Sequence, residues 1–277
     1  MEEFSVTTKQ DKLFSGNALK LMAIITMFLD HFALVFFWQY LLPIVRYDYQ
    51  NMKLYYALYI VYRVLRGLGR IAFPIFCFLI AEGFKHTRNP VKYFARLLIA
   101  AIISEVPFDL AVRKTWFTLE KQNVIFTLAA GLVAIFLWSD IIGGDRNKSP
   151  LIRFKEAPLA SKLGAFGTVI LMSLICFEMR TDYCKFGVLI IFTFYFLWDV
   201  PIAMFIGVGA LLVASSWKWE IPALLAFFPI YFYNGKSSSR ETNEKTDKVI
   251  KVLFYLFYPV HLLLLGLMRI LLYSRLK

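Results

Sequence analysis

Long apolar runs separated by short basic segments repeat along almost the whole chain. They fall at about 19–42, 66–84, 93–112, 122–143, 160–177, 186–199, 201–217, 219–233 and 250–273. Each approaches the roughly 20 residues a helix needs to cross a bilayer. The stretch 52–65, MKLYYALYIVYRVL, is amphipathic instead and reads as a tenth, shorter element. In hydrocarbon the backbone has no water to bond, so only helices and closed barrels cross it. The alternating pattern of a barrel strand is not seen. The expectation is all-α: a polytopic membrane bundle of about 9–10 transmembrane helices. Residues 1–277 then form one transmembrane domain, with a polar segment over 1–18 and a cytoplasmic loop over 234–250.

Composition sharpens this picture. Of 277 residues, 59% are hydrophobic and 18% aromatic, whereas a soluble domain carries about half apolar residues. Lys and Arg number 31 against 19 acids, a net charge of +12. In a soluble protein that excess would point to nucleic acid. Here the cations lie mostly in short loops, where positive-inside topology and anionic lipid head groups favour them. The expected partner is therefore the lipid bilayer and not nucleic acid.

Loop 85–92, KHTRNPVK, has two Lys, one Arg, one His and no acid, and belongs in the cytoplasm. Counting helices puts 144–162, 234–250 and the N-terminus on the same side, in a cytoplasmic membrane; loops 43–65 and 113–121 are basic too and count against this. Cys77, Cys176 and Cys184 form no CxxC pair and read as packing residues, and no metal is expected. Residues 1–18 lack the profile of a signal peptide, so the first helix reads as a retained anchor.

Ionisable side chains inside apolar runs carry the chemistry, because each costs about 2.5–3.5 kcal/mol at mid-bilayer. The first helix holds Asp30 and His31 near its middle and Lys20 near one end. Lys20 and His31 are eleven residues apart, which returns them to within about 20° of one face, roughly 16.5 Å apart along the axis. A surface cation and a mid-depth imidazole on one face suit a long, thin donor with an anionic head, such as coenzyme A. The plainer reading is a snorkelling lysine and a histidine satisfying a buried hydrogen bond. Asp30 lies about 100° from His31 around the helix and finds a better partner among Arg63, Arg66 and Arg70. Arg70 reaches furthest into the next run, and an Asp30–Arg70 pair would serve charge neutralisation as well as it would catalysis.

Glu82, Lys85 and His86 form an i, i+3, i+4 set at a helix end. Arg88 and Lys92 follow as possible phosphate contacts or as topology-retaining cations. Ser104, Glu105 and Asp109 surround Pro107, with Glu105 and Asp109 on one face as a proton acceptor or a solvated lining. The last helix carries Tyr255, Tyr258, Pro259 and His261, which places His261 at the depth of His31, and imidazoles titrate near neutral pH. Tyr233, Asn234, Gly235 and Lys236 form a turn that suits either a phosphate cradle or a helix C-cap.

The segments LKLMAIITMFLDH, GRIAFPIFCFLIAEGFKHTRN, RLLIAAIISEVPFDL, QNVIFTLAAGL, YNGK and FYPVHLLLL together resemble the TraX family over about residues 17–270. That family is named for a conjugative-pilus protein that acetylates the pilin N-terminus. It is similar to the acyltransferase-3-like membrane acyltransferases, whose first helix carries a basic residue, ten residues and a histidine, as in Lys20-x10-His31. The resemblance implies an acetyl-CoA-dependent O- or N-acetyltransferase. It implies a catalytic role for His31 and donor binding by Lys20, and Glu82, Arg88, Asn234 and Lys236 match family motifs and are assigned to the donor. The reading of the residues themselves adds Asp30, Glu105 and His261 as catalytic and Arg70 and His86 as donor-binding. The acceptor would be a protein N-terminus, a glycan or a lipid-linked sugar. A small proton-coupled transporter or flippase built on the same buried charges is the alternative, and a non-catalytic membrane scaffold a third.

Overall fold

The computed structural model describes residues 13–46, 52–236 and 244–274, with side chains in the last stretch given for Val249 and from 252 onward. Every element named below is helical, and two isolated backbone bridges, Phe14 to Tyr233 and Gln122 to Thr181, tie loops together. Six helical runs are long and apolar enough to cross a membrane: Gly16–Arg46, Met52–His86, Val124–Ile142, Leu159–Glu178, Pro201–Tyr231 and Val252–Ser274. The chain is thus a multi-pass helical membrane protein, as its pattern of apolar runs requires.

The first run is α1 (Gly16–Phe32), a π-helical stretch (Ala33–Leu41) and α2 (Leu42–Arg46). Ser15 caps α1, its hydroxyl accepting from the Ala18 N–H at 3.2 Å, an arrangement worth about 1 kcal/mol. The helix starts at Gly16 and not at 19, and residues 1–12 of the expected polar segment lie outside the described residues.

The amphipathic stretch is not a separate tenth span. It is the upper half of one crossing, α3 (Met52–Gly69) followed by α4 (Ala72–His86), broken only at Arg70 and Ile71. Its apolar stripe exists because α3 lies along the π-helical stretch, where Tyr62 stacks on Trp38 with centroids 5.3 Å apart.

Next come α5 (Pro90–Phe108) with a π turn (Asp109–Arg113), α6 (Val124–Ile142), the short α7 (Pro150–Glu156), α8 (Leu159–Glu178) and α9 (Cys184–Phe196). Asn89 and Asn123 cap α5 and α6. Then follows α10 (Pro201–Glu220), whose helical backbone breaks at Ser216. The expected helix 219–233 is instead a 3-10 turn (Ile221–Ala226) and the five-residue α11 (Phe227–Tyr231), so the chain doubles back over a short path. The last helix, α12 (Glu244–Ser274), starts six residues before the expected 250, so the loop expected over 234–250 is shorter.

Two ends of the bundle can be named from contacts. At the proximal end, Gly16 N–H donates to Lys236 O at 2.8 Å and Tyr233 meets Glu82 of α4. At the distal end, the loop before α6 meets the loop before α9, where Asp182 N–H donates to Gln122 O at 3.0 Å. Large aromatics fill the core: Trp138 is fully buried against Phe192, Tyr195 and Phe196.

Candidate active site

Two histidines meet at mid-length of the two helical runs that carry them. His31 Nδ1 of α1 lies 2.8 Å from His261 Nε2 of α12, and His261 Nδ1 lies 2.7 Å from the Phe257 carbonyl. A carbonyl oxygen only accepts, so His261 Nδ1 must carry hydrogen, and in the neutral ring Nε2 is then the acceptor. His31 Nδ1–H consequently donates to it. The His31 hydrogen is thereby placed on Nδ1 and the lone pair on Nε2 is left available. The tautomer of His31 follows from one backbone oxygen two steps away. The ring of Tyr258 stands 6.1 Å from that of His31, and the π-helical stretch begins two residues beyond it, a helix form that gathers at functional sites.

Beside the histidines lies a compact ion network. Arg66 pairs with Asp30, and Arg70 Nε stands 3.9 Å from the other Asp30 oxygen. Arg70 also reaches Glu220 at 3.4 Å and donates to the Tyr183 hydroxyl at 3.0 Å. Lys121 pairs with Asp182 at 2.9 Å, and the charges of Arg66, Asp182 and Arg70 all act on His31. Three cations thus face three carboxylates, which lets these charges persist in a poorly solvated site.

Backbone breaks converge here. Arg70 occupies the α3–α4 break, Glu220 closes the kinked α10, and Tyr183 and Cys184 are held at φ 61° and 43°. Non-glycine residues in that region are strained and collect at functional sites. Gly69 is required by the approach of α3 to α1, since a Cβ there would sit 2.3 Å from Asp30 Cβ. Three buried polar atoms, Asp30 Oδ1, Arg66 Nε and Arg70 Nε, have no hydrogen-bond partner among the described residues. Two of them, Asp30 Oδ1 and Arg70 Nε, face each other as the 3.9 Å ion pair, a gap that an ordered water can bridge.

A cavity of about 950 Å³ runs from the proximal end toward this cluster, at the upper end of the range for small-molecule sites. Gly16, Lys20 and Met27 line it from α1, Glu82 and His86 from α4, Arg96 from α5, and Tyr255 and Tyr258 from α12. His31 is one turn beyond Met27 on the same stripe, at spacing i+4, and faces Tyr258. The cavity therefore ends against the side chains that flank the imidazole. On the far side, Asp182 and Lys121 are 32% and 42% exposed, so the ion network is open to the distal face.

The family model described as TraX protein matches residues 15–269, which takes in both histidines, the ion network and the cavity. The chain belongs to the TraX family. A curated relative from Dichelobacter nodosus, described as probable fimbrial assembly protein FimC, serogroup H1, is 35% identical over 135 residues. That match covers 45% of this chain and 46% of the relative, so the chain spans about half the length of the curated relative it matches. No solved structure matches.

The other residues singled out in this TraX chain divide by place. His31, His261, Asp30 and Arg70 gather at the cluster, with Arg66 as the nearer arginine of Asp30. Lys20, Glu82 and His86 line the cavity, and Lys20 also lies 5.5 Å above the Phe254 ring. Glu82 accepts from Tyr233 Oη at 2.8 Å and stands 3.1 Å from His86 Nε2, while Lys85 turns away over Trp198.

Arg88 is exposed and outside the cavity lining. In the 233–236 turn, Asn234 Oδ1 accepts from Lys236 N–H at 2.9 Å and Asn234 N–H donates to Phe14 O at 2.9 Å. Those two N–H groups are already bonded within the protein and are not available to a phosphate, and Tyr233 and Gly235 are the residues of the turn that line the cavity. Glu105 binds Asn123 at 2.5 Å, and Asp109 takes the Thr118 N–H at 2.7 Å. Both carboxylates clamp the loop before α6, with one Glu105 oxygen unpartnered among the described residues. The charges of Asp182, Glu105 and Asp30 all act on Tyr258.

Asp182, Tyr183, Glu220 and Lys121 are not singled out by the sequence. Their one signal in the sequence is polar residues at the edges of apolar runs, in LEKQN, RTDYCK and SSWKWEIP.

Proposed function

We propose that this chain is a membrane-embedded acetyltransferase that takes acetyl from acetyl-CoA to an amine or hydroxyl at the distal face. The observation that carries the reading is the histidine relay, which leaves His31 Nε2 unprotonated one helical turn beyond Met27, a lining residue of a cavity that also holds Lys20 and Arg96. Lys20 and Arg96 hold the phosphates and His86 adds a donor at the rim. The thioester is carried inward, and His31 Nε2 accepts the proton of the attacking amine or hydroxyl as a new N–C or O–C bond forms at the carbonyl. The carbon–sulfur bond then breaks, and the leaving thiolate takes that proton from the imidazolium and departs as free CoA.

The proximal end is cytoplasmic in this reading, because the donor is a cytoplasmic metabolite. The relative's description as a fimbrial assembly protein favours a protein amine of a surface structure as acceptor over a glycan or lipid-linked sugar.

Labelled acetyl-CoA incubated with membranes containing the wild type should yield a labelled product. His31→Ala should reduce that signal by at least about 10²-fold while melting at the same temperature. Full labelling by His31→Ala would remove the imidazole from the mechanism.

A further inference from the structure

Glu82 is out of place in a pocket for a polyanion. It is 7% exposed and lines the cavity among Lys20, His86 and Arg96. One of its oxygens accepts from Tyr233 Oη at 2.8 Å and meets His86 at 3.1 Å. The other, Oε2, is buried with no hydrogen-bond partner among the described residues. A buried carboxylate oxygen left unpaired costs free energy unless a ligand completes it. A phosphate cannot, since it brings only acceptors and like charge, so the missing group must donate hydrogen.

The surroundings narrow that group. Tyr93 packs on the glycine after Glu82, where a Cβ at Gly83 would lie 2.9 Å from its hydroxyl and about 3.1 Å from its ring. Phe76, Tyr233 and Phe254 supply further aromatic wall. Arg96 sits over the Tyr93 ring at 5.7 Å and leaves a cation beside that surface. A flat aromatic wall, an unpaired acceptor at its edge and cations close by together match a purine that bears an amine and is joined to phosphates. Carboxylates read exocyclic amines on bases in this way, and aromatic rings hold the base plane by stacking.

We infer that Glu82 Oε2 accepts a hydrogen bond from the exocyclic amine of the donor's adenine and so selects adenine-bearing acyl donors over other thioesters. The inference rests on the acetyl-CoA reading given above and adds a specificity determinant to it. Glu82 touches the nucleotide and takes no part in bond making.

The test compares binding of acetyl-CoA with that of its deaminated analogue, in which hypoxanthine replaces adenine, to purified wild type and to Glu82→Gln. The analogue presents a carbonyl where adenine presents an amine, so the wild type should bind it at least about tenfold more weakly. The amide introduced by Glu82→Gln carries both an N–H donor and a carbonyl acceptor, and should bring the two affinities to within about twofold. Equal binding of both ligands by the wild type overturns the inference. So does a preference that Glu82→Gln leaves intact, since another group would then read the amine. Failure of the wild type to bind either ligand is a different result: it removes the acyl-CoA reading itself, and this inference with it.

Discussion

One hydrogen bond to a backbone carbonyl sets the chemistry of the candidate site. Because the Phe257 oxygen can only accept, the protons of His261 and then of His31 fall into a single order, and Nε2 of His31 is left as a base. His261 is in this account a positioning residue. Its replacement by Ala should lower kcat by about 10²-fold, the scale of general-base catalysis, with the KM for acetyl-CoA unchanged because the cavity is intact. A parallel rise in KM would make His261 part of the donor site instead.

Asp30 has the opposite character. Asp30→Asn leaves Arg66 without its carboxylate and should cost about 3–5 kcal/mol of stability, read by thermal unfolding in detergent. Asp30→Asn combined with Arg66→Gln should recover part of that loss, and no recovery would mean the two side chains are not an energetic pair. The histidines and Asp30 were legible in the sequence because an ionisable group in an apolar run stands out against its surroundings. Asp182, Tyr183 and Glu220 were not, because each sits at the polar edge of a run, where charge is ordinary, and only folding brings them to Arg70.

At the level of helices and loops, close approaches and breaks hold the cluster together. The α3–α1 contact leaves no room for a methyl group at Gly69. Gly69→Ala should therefore destabilise by about 1–3 kcal/mol, the usual cost of overpacking, and reduce activity with it; a variant as stable and active as wild type would show that α3 can shift without consequence. The loop carrying Asp182 adds a pH signature. Burial pushes that carboxyl up, but the adjacent Lys121 charge and hydrogen bond outweigh it and hold it below the usual carboxylate range. The stabilisation is then present above the unfolded value near 3.8 and is lost as pH falls through the lower folded value. Thermal stability should drop at acidic pH below that point, and less so in Lys121→Met. The two proteins losing stability in parallel would exclude the pair as the cause.

Apolar runs longer than about 15 residues were legible as helices throughout. The α3–α4 join was not, since an amphipathic stretch looks the same whether it lies on a membrane or along a neighbouring helix. The packing of Tyr62 on Trp38 decides for the helix. The short 3-10 and α11 return was misread as a full span because its composition is apolar while its length is set by the kink at Ser216.

Across the whole molecule, a cavity from one end stops at Met27 and Tyr258, which flank His31, and an ion network exposed at the other end lies on the far side of that imidazole. That arrangement suits a reaction whose two substrates come from opposite sides of a membrane. It predicts a topology: the 143–149 loop, which follows α6 at the proximal end, should face the cytoplasm, and the 114–121 loop the outside. Single cysteines at Asn147 and Trp116, both exposed, report on this through a membrane-impermeant maleimide. Intact cells should label Trp116→Cys and spare Asn147→Cys, and the reverse pattern would place the donor cavity on the wrong side.

For His31 to act as the base, the thioester end of a CoA-type donor must lie against it. Bromoacetyl-CoA carries an electrophilic carbon at that end, and an unprotonated imidazole nitrogen beside it displaces bromide and becomes alkylated. Peptide mass spectrometry of the treated, purified protein should find the adduct on His31, and excess acetyl-CoA should suppress it. An adduct confined to other residues, or an unmodified His31 in protein shown to bind CoA, would contradict the placement of the reacting carbon.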